Sequence, residues 1–361
     1  MPLRTVLLFG GRSAEHEVSI LSARSVAAAA PKPRIEIVPV CIAKDGRFIA
    51  PERSARILDG SERSETGDAE FSMESWSRDA EIDCVFPLIH GTDGEDGTLQ
   101  GYLEILGLPY VGSGVTASAL GMDKGHMKHA FAAAKLPLVD FVQVRESDWH
   151  NERERILRAV NNALRLPYFV KPANTGSSVG VTKVKNDEEL GAAIEKAFRF
   201  DDKALIERGI DAREFEVAVL GNDDPQASLP GEIIAGREFY DYEDKYAENN
   251  SQLVIPAILP KEKLDEFRRL SLAAFKAIGA AGLARVDFFL ERGKNRLYVN
   301  EINTIPGFTN MSMYPKLWEA TELKYAKLIE RLIELGIENS RKRMTRQEGA
   351  MKWFDEVKGI L

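Results

Sequence analysis

Residues 283–303 read LARVDFFLERGKNRLYVNEIN: two β-rich runs, Leu283–Leu290 and Arg296–Asn303, joined by the polar turn Glu291–Asn295. Along a strand, side chains at i and i+2 share a face. Arg285 and Asp287 therefore point one way, as do Glu301 and Asn303, while Val286, Phe288 and Ile302 point the other. An antiparallel hairpin whose turn centres on Lys294 sets Asp287 opposite Glu301 and Arg285 opposite Asn303, gathering all four polar groups on one face. Two carboxylates about 5 Å apart repel by roughly 3 kcal/mol at an effective dielectric near 20. Like charges directly opposite in a sheet destabilise it. Two partners can offset this: Arg285 as a structural ion pair, or a hard divalent cation on oxygens of Asp287, Glu301 and Asn303. Magnesium suits a site of one to three protein oxygens completed by substrate phosphates.

Upstream, Val170-Lys171-Pro-Ala-Asn-Thr-Gly176-Ser177-Ser178-Val-Gly180 follows a strand. Glycines flanking two serines can turn backbone N–H groups onto an anion, or simply make a loop. The Gly-Lys-Ser/Thr order of a Walker A loop is absent. Lys171 and Lys124, the latter in Met122-Asp123-Lys124, bring charge suited to nucleotide phosphates or stand as surface lysines. Near the start, Gly10-Gly-Arg-Ser-Ala-Glu15-His-Glu-Val18-Ser19 lies at a strand-to-helix turn. Helix N-termini favour anions, so Glu15 is either a dipole-stabilised surface carboxylate or a ligand for a substrate ammonium.

The strand Thr5–Phe9, the Gly10-Gly11 turn, a helix from about Ala14 to Ala30 and the strand Ile35–Ile42 open an α/β unit with a parallel sheet. Pro51–Ala80 is polar and charged and reads as a surface excursion or a few exposed edge strands. A third strand, Val85–Ile89, runs into the loop His90–Gly97, then a helix over Leu99–Leu106. A second unit starts near Met122, with strands at Tyr168–Lys171 and Ala204–Glu207. Strands dominate from Glu214 to the amphipathic helix Lys261–Ile278. The tail after Gly336 carries Arg341, Lys342, Arg343, Arg346, Trp353 and Phe354, read as a terminal helix packed on its own domain or as an interaction tail.

Hydrophobic residues at 44% and charged residues at 29% of 361 describe a folded chain, not a disordered one. The net charge of −8 lacks the basic footprint of a nucleic-acid binder. Two cysteines, Cys41 and Cys84, cannot form a disulfide framework, so a reducing cytoplasm is expected. No run approaches the roughly 20 apolar residues that span a membrane, and Val6–Phe9 is too short for a signal-peptide core.

Taken in order, these blocks resemble the D-alanine–D-alanine ligases of the ATP-grasp superfamily. The likeness runs from Leu7 to about Leu335 and also includes His90-Gly-Thr-Asp-Gly-Glu-Asp-Gly-Thr-Leu-Gln-Gly101, Glu214-Phe215, Phe239-Tyr-Asp-Tyr-Glu-Asp-Lys245-Tyr246 and Asn300-Glu-Ile-Asn-Thr-Ile-Pro-Gly-Phe-Thr309. The resemblance implies an α/β ATP-grasp fold: an N-terminal parallel-sheet domain (1–121) and two α+β domains (122–206 and 207–361, the latter with an extra tail) clasping ATP. It implies phosphate contacts from Lys124, Lys171 and Lys245, with Ser178 and Phe239 also at the nucleotide. Glu207 and Glu214 would hold the adenine amino group and ribose, and Ile210 would line the base pocket. Asp287, Glu301 and Asn303 would ligate two magnesium ions, replaceable by manganese. The first D-alanine would lie near Glu15, Val18 and His90, its ammonium on Glu15. Arg285 and the Gly307 backbone would face the oxyanion, and Ser312 with Lys245 the second D-alanine's carboxylate. Glu15, Ser177 and Tyr246 would form a hydrogen-bond network, with Tyr240–Gln252 as a lid.

The implied reaction joins two D-alanines through an acyl phosphate, supplying peptidoglycan precursors; the implied assembly is a homodimer. A D-alanine–D-lactate ligase is the alternative, and Tyr246 favours the amine acceptor. A nucleotide-binding module without catalysis would require a broken phosphate or metal set, whereas Lys124, Lys171, Asp287, Glu301 and Asn303 are all present.

Overall fold

The computed structural model describes residues 1–176, 179–234 and 252–358. The first sheet has the order β3-β2-β1-β4. Its strands β1 (Leu3–Gly10), β2 (Ile35–Ile42) and β4 (Cys84–Pro87) are parallel, and the short β3 (Phe48–Ile49) is antiparallel at the edge. Val6, Leu7, Leu8 and Phe9 are all fully buried. Leu7 and Phe9 enter one hydrophobic cluster, Val6 and Leu8 another. Both faces of this sheet are therefore covered, which is why β1 reads as an unbroken apolar run. Helix α1 (His16–Ala29) starts where Gly10 takes φ +92°. A Cβ at Gly10 would also stand 2.2 Å from the Ile42 carbonyl oxygen, so only glycine makes this turn.

The segment 51–80 departs from the expected excursion or edge strands. It forms two helices, α2 (Pro51–Asp59) and α3 (Met73–Asp79), separated by a charged connection. Pro51 occupies the first helical turn, Gly60 closes α2 in the left-handed region, and the Ser72 hydroxyl caps α3 by accepting from Ser75 N–H. The charges are largely spent internally: Arg53 pairs with Glu62 and Asp68 and donates to the Thr66 carbonyl. Ser54, Ile57, Ser64 and Met73 are buried. Ser64 reaches back to the first turn, 2.6 Å from His16 Nε2.

Helices α4 (Thr98–Ile105), α5 (Val115–Met122) and α6 (Lys124–Ala133) lead to the second sheet, order β5-β8-β6-β7. Its strands, β5 (Phe141–Arg145), β6 (Tyr168–Pro172), β7 (Thr182–Val184) and β8 (Lys203–Arg208), all pair antiparallel. Helices α7 (Glu146–Ala163) and α8 (Asp187–Ala197) supply its apolar cover through Trp149, Val160, Leu190 and Ile194.

The third sheet is antiparallel, order β12-β11-β9-β13-β14, with β10 (Gln226–Ala227) beside β9 (Ala212–Gly221). It contains β11 (Gly231–Ile234), β12 (Gln252–Val254), β13 (Gly282–Glu291) and β14 (Arg296–Asn303), backed by α9 (Lys261–Ala277). The hairpin pairs Arg285 with Asn303 and Asp287 with Glu301, as its alternation predicts. Its turn is not centred on Lys294, however. The four pairs on the turn side run from Glu291–Arg296 to Phe288–Val299 and centre it between Gly293 and Lys294, and a bulge beyond Phe288 puts Asn300 opposite no residue. That extra residue restores the register at the polar cluster.

After α10 (Met313–Ala320), the final helix α11 (Tyr325–Lys358) carries the chain through the tail beyond Gly336, which is the terminal helix expected there. Leu328, Ile329, Leu332 and Ile333 share one cluster with Leu7 and Phe9 of β1 and with Ala218 and Leu220 of β9. The helix thus ties the first sheet to the third. The approach is so close that a Cβ at Gly336 would lie 2.6 Å from the Tyr110 carbonyl oxygen. Trp353 and Phe354, by contrast, are exposed.

Cys41 and Cys84 are free and buried. Burial pushes the Cys41 thiol up to about 12 and raises Cys84 as well. Since the thiolate is the reactive form, a charged alkylating reagent is expected to label neither cysteine in native protein at pH 8 and both in urea, read by intact mass.

Candidate active site

Strand β9 lies on the other side of β13 and pairs Glu216 with Asp287. Glu216, Asp287 and Glu301 therefore form a row of three carboxylates across three adjacent strands. Arg285 meets this row: its Nε lies 2.7 Å from Asp287 Oδ1 and 3.0 Å from Glu216 Oε2, and its Nη2 lies 2.7 Å from Asp287 Oδ2. Burial works against the guanidinium's charge, but the carboxylates of Asp287 and Glu216 more than offset it and hold its pKa above the usual range. Asn303 Nδ2 donates to Asp287 Oδ2 at 3.1 Å, and Lys124 Nζ stands 3.8 Å from Glu301 Oε2. The structural ion pair expected as one alternative is thus present at Asp287.

Among the described residues no three His, Cys, Asp or Glu side chains form a metal-holding cluster. The donor set here is mixed, with an amide beside carboxylates. Asp287, Glu301 and Asn303 share one hairpin face and carry side-chain oxygens, the hard-donor chemistry that magnesium takes, so the residue types fit such an ion.

Opposite the row, Lys124 begins α6 and donates to the Thr175 carbonyl at 2.7 Å. This places its ammonium at the loop that follows β6. Lys171, on β6, pairs with Glu207 of β8 at 2.7 Å. The other Glu207 oxygen lies 2.6 Å from Lys128, a buried lysine the sequence reading did not single out. Burial would raise the Glu207 carboxyl, but the two lysines bring it down to about 2. Ile210 and Glu214 follow on the loop to β9 and on β9 itself, Glu214 sharing a face with Glu216.

The third contribution comes from the first sheet. Glu15 sits at the N-cap of α1, where its backbone N–H donates to Ser13 Oγ at 3.2 Å. A Cβ built on Gly91 would stand 3.0 Å from Glu15 Oε2, and one on Gly176 3.4 Å, so this carboxylate reaches the loop after β6. Val18 is buried one turn on. His90 Nδ1 lies 3.0 Å from the Ile305 carbonyl and Nε2 3.1 Å from Ser22 Oγ. A carbonyl only accepts, so Nδ1 carries the proton and Nε2 accepts from Ser22. Burial lowers the His90 pKa, keeping the ring neutral near pH 7.

Glu95, also missed from sequence, accepts from Gly91 N–H at 2.8 Å and from Ile305 N–H at 3.0 Å. Both polar backbone atoms of Ile305 are thereby held by the His90–Gly97 loop, two residues before Gly307. Ser312 Oγ accepts from Thr309 N–H at 3.0 Å, and a Cβ at Gly307 would be 3.1 Å from it. Ser177, Ser178, Phe239, Lys245 and Tyr246 lie outside the described residues, as does nearly all of the expected lid. An open cleft of about 740 Å³ lies beside the cluster, lined by Thr92, Asp123, His126 and Asn174 among others, and by none of the expected site residues.

A parallel-sheet domain ahead of two antiparallel sheets, with lysines facing an acidic hairpin, defines an ATP-grasp ligase. Family models for the N-terminus and C-terminus of D-ala D-ala ligase match residues 4–113 and 130–334. A D-alanine–D-alanine ligase of Halothermothrix orenii is 48% identical over 93% of this chain and 99% of its own. One of Solibacter usitatus is 46% identical over 96% and 99%. Among solved structures, the D-alanine–D-alanine ligase of Coxiella burnetii has a TM-score of 0.79 at 36% identity, covering 97% of this chain and 99% of that one. The VanG D-Ala:D-Ser ligase of Enterococcus faecalis has 0.80 at 31%, covering 93% and 100%. The chain belongs to the D-alanine–D-alanine ligase family.

Proposed function

We propose that this site joins two D-alanine molecules to D-alanyl-D-alanine, with ATP converted to ADP and phosphate through an acyl phosphate. The observation that carries this reading is the acidic row with Arg285, met by Lys124 at Glu301, with Lys171 paired to Glu207 close by. Phosphoryl transfer to a carboxylate gathers several negative charges, and catalysis is mostly positioning plus electrostatics. In this reading Lys124 and Lys171, with Lys245, neutralise phosphate oxygens, while Glu207, Ile210, Glu214, Ser178 and Phe239 hold the rest of the nucleotide. Asp287, Glu301 and Asn303 would hold magnesium or manganese, which supplies positive charge to the phosphates when bound.

Glu15 takes the first substrate's ammonium beside Val18, with Ser177 and Tyr246 completing its network. Neutral His90 keeps the Ile305 carbonyl in place, which aims the backbone of Gly307 with Arg285 at the developing oxyanion. Ser312 receives the second carboxylate. The division into domains 1–121, 122–206 and 207–361, a homodimeric assembly, a cytoplasmic location and a role in peptidoglycan precursor synthesis belong to the same proposal. Among the described residues no helix is long and apolar enough to cross a membrane.

A neighbour titled D-Ala:D-Ser ligase shares the fold, so the fold alone does not choose the acceptor; Tyr246 supports an amine over D-lactate. The test is phosphate release with ATP, Mg²⁺ and D-alanine, against L-alanine and D-lactate mixtures. Release with D-alanine, a dipeptide product and no turnover with L-alanine are expected. ATP binding without D-alanine-dependent release would overturn the reading.

A further inference from the structure

Lys128 lies one turn after Lys124 on α6 and is 1% exposed, too buried to touch a ligand itself. Its ammonium is 2.6 Å from Glu207 Oε1 and 5.6 Å from the centre of the Phe141 ring, and Phe141 is the residue paired with Glu207 between β5 and β8. The second Glu207 oxygen is 2.7 Å from Lys171. One buried carboxylate is thus shared between two ammonium groups, of which only the Lys171 side chain keeps some exposure, 12% against 1% for Lys128.

We propose that Lys128 is a positioning residue: it holds Glu207 from behind, so that the Lys171 ammonium remains available to a nucleotide phosphate. This rests on the proposed phosphate role of Lys171. Without Lys128, Glu207 has Lys171 as its one close cationic partner among the described residues. In a low-dielectric setting the remaining pair tightens, and a phosphate must compete with a whole carboxylate, not half of one. Burial lowers the Lys128 pKa while Glu207 raises it, so the ammonium depends on this partner as much as the partner depends on it. A purely structural role makes the opposite forecast. Removing one partner of a buried ion pair costs folding stability, but in that case the ATP affinity of the protein that folds is unchanged.

The experiment measures ATP affinity by calorimetry and both KM values for Lys128→Met, Lys128→Gln and Lys128→Arg. Met and Gln are expected to weaken ATP by about tenfold or more, the scale of one charge-assisted hydrogen bond. The KM for D-alanine should stay within about twofold of wild type, the signature of an effect confined to nucleotide binding. Arg keeps the charge and is expected to restore ATP affinity to within about threefold. Should Met fail to fold, Gln, which keeps a donor to Glu207 but no charge, gives the same reading. Unchanged ATP affinity in Gln, equal losses for ATP and D-alanine, or Arg no better than Gln would each overturn the proposal. If wild type released no phosphate with D-alanine, the proposed reaction would fail, while direct ATP binding would still decide the role of Lys128.

Discussion

Replacing Arg285 by methionine is expected to lower turnover by about three orders of magnitude, the upper end of what one oxyanion donor supplies. The same change should cost the fold about 3–5 kcal/mol, as breaking a buried ion pair does. The two losses have one origin. Arg285 is bidentate on Asp287 and reaches Glu216 with the same Nε. Asp287 and Glu216 are directly paired across β9 and β13. Methionine fills similar volume but leaves these like charges face to face without the guanidinium. Lysine restores one charge without the planar fork and should recover stability better than turnover. Single-turnover phosphate release and urea unfolding measure the two effects separately. Turnover within tenfold of wild type would remove Arg285 from the reacting centre. An unchanged unfolding free energy would mean the carboxylates do not rely on it.

The hairpin was legible because its polar residues alternate: Arg285 with Asp287, and Glu301 with Asn303, need only the period of two. The bulge was not read from the sequence, whose expected register runs unbroken about Lys294; the structure's core reveals it. Leu297, Val299 and Ile302 all enter one core cluster, and 297 and 302 differ in parity, so one residue between them must be extra. Glu216 was harder. Its strand alternates plainly, but β9 meets β13 only through a pairing that spans about seventy residues of sequence, and nothing local announces it. Lys128 needed only the helical repeat, four residues after Lys124, yet a lysine's burial depends on a sheet contributed from elsewhere. In segment 51–80 the density of charge suggested surface. Pro51, Gly60 and Ser72 are ordinary helix boundaries, and Arg53 neutralises its own neighbourhood, so charge count and exposure parted company there.

Glu95→Gln is expected to change the pH dependence of stability, with a sign the geometry sets. Burial, then the charge of Glu15, push the Glu95 carboxyl up from 4.5 to about 7, against two backbone N–H groups that favour its ionised form. A raised folded pKa means that protonation favours the fold. This contribution is complete below pH 4.5 and is lost as pH rises to about 7, in all about 3 kcal/mol. Glutamine cannot titrate. At pH 4.5 the variant should be no more stable than wild type, because its single amide oxygen serves only one of the two N–H donors. By pH 8 the difference should have moved in its favour by about 3 kcal/mol, read by urea unfolding. A gap constant with pH would sink the assignment. The same electrostatics couples to substrate. If Glu15 takes the ammonium of the first D-alanine, the repulsion raising Glu95 is relieved and its pKa falls on binding. Wild type should then release a fraction of a proton near pH 7 on binding D-alanine, seen as a buffer-dependent heat, and the glutamine variant should release none.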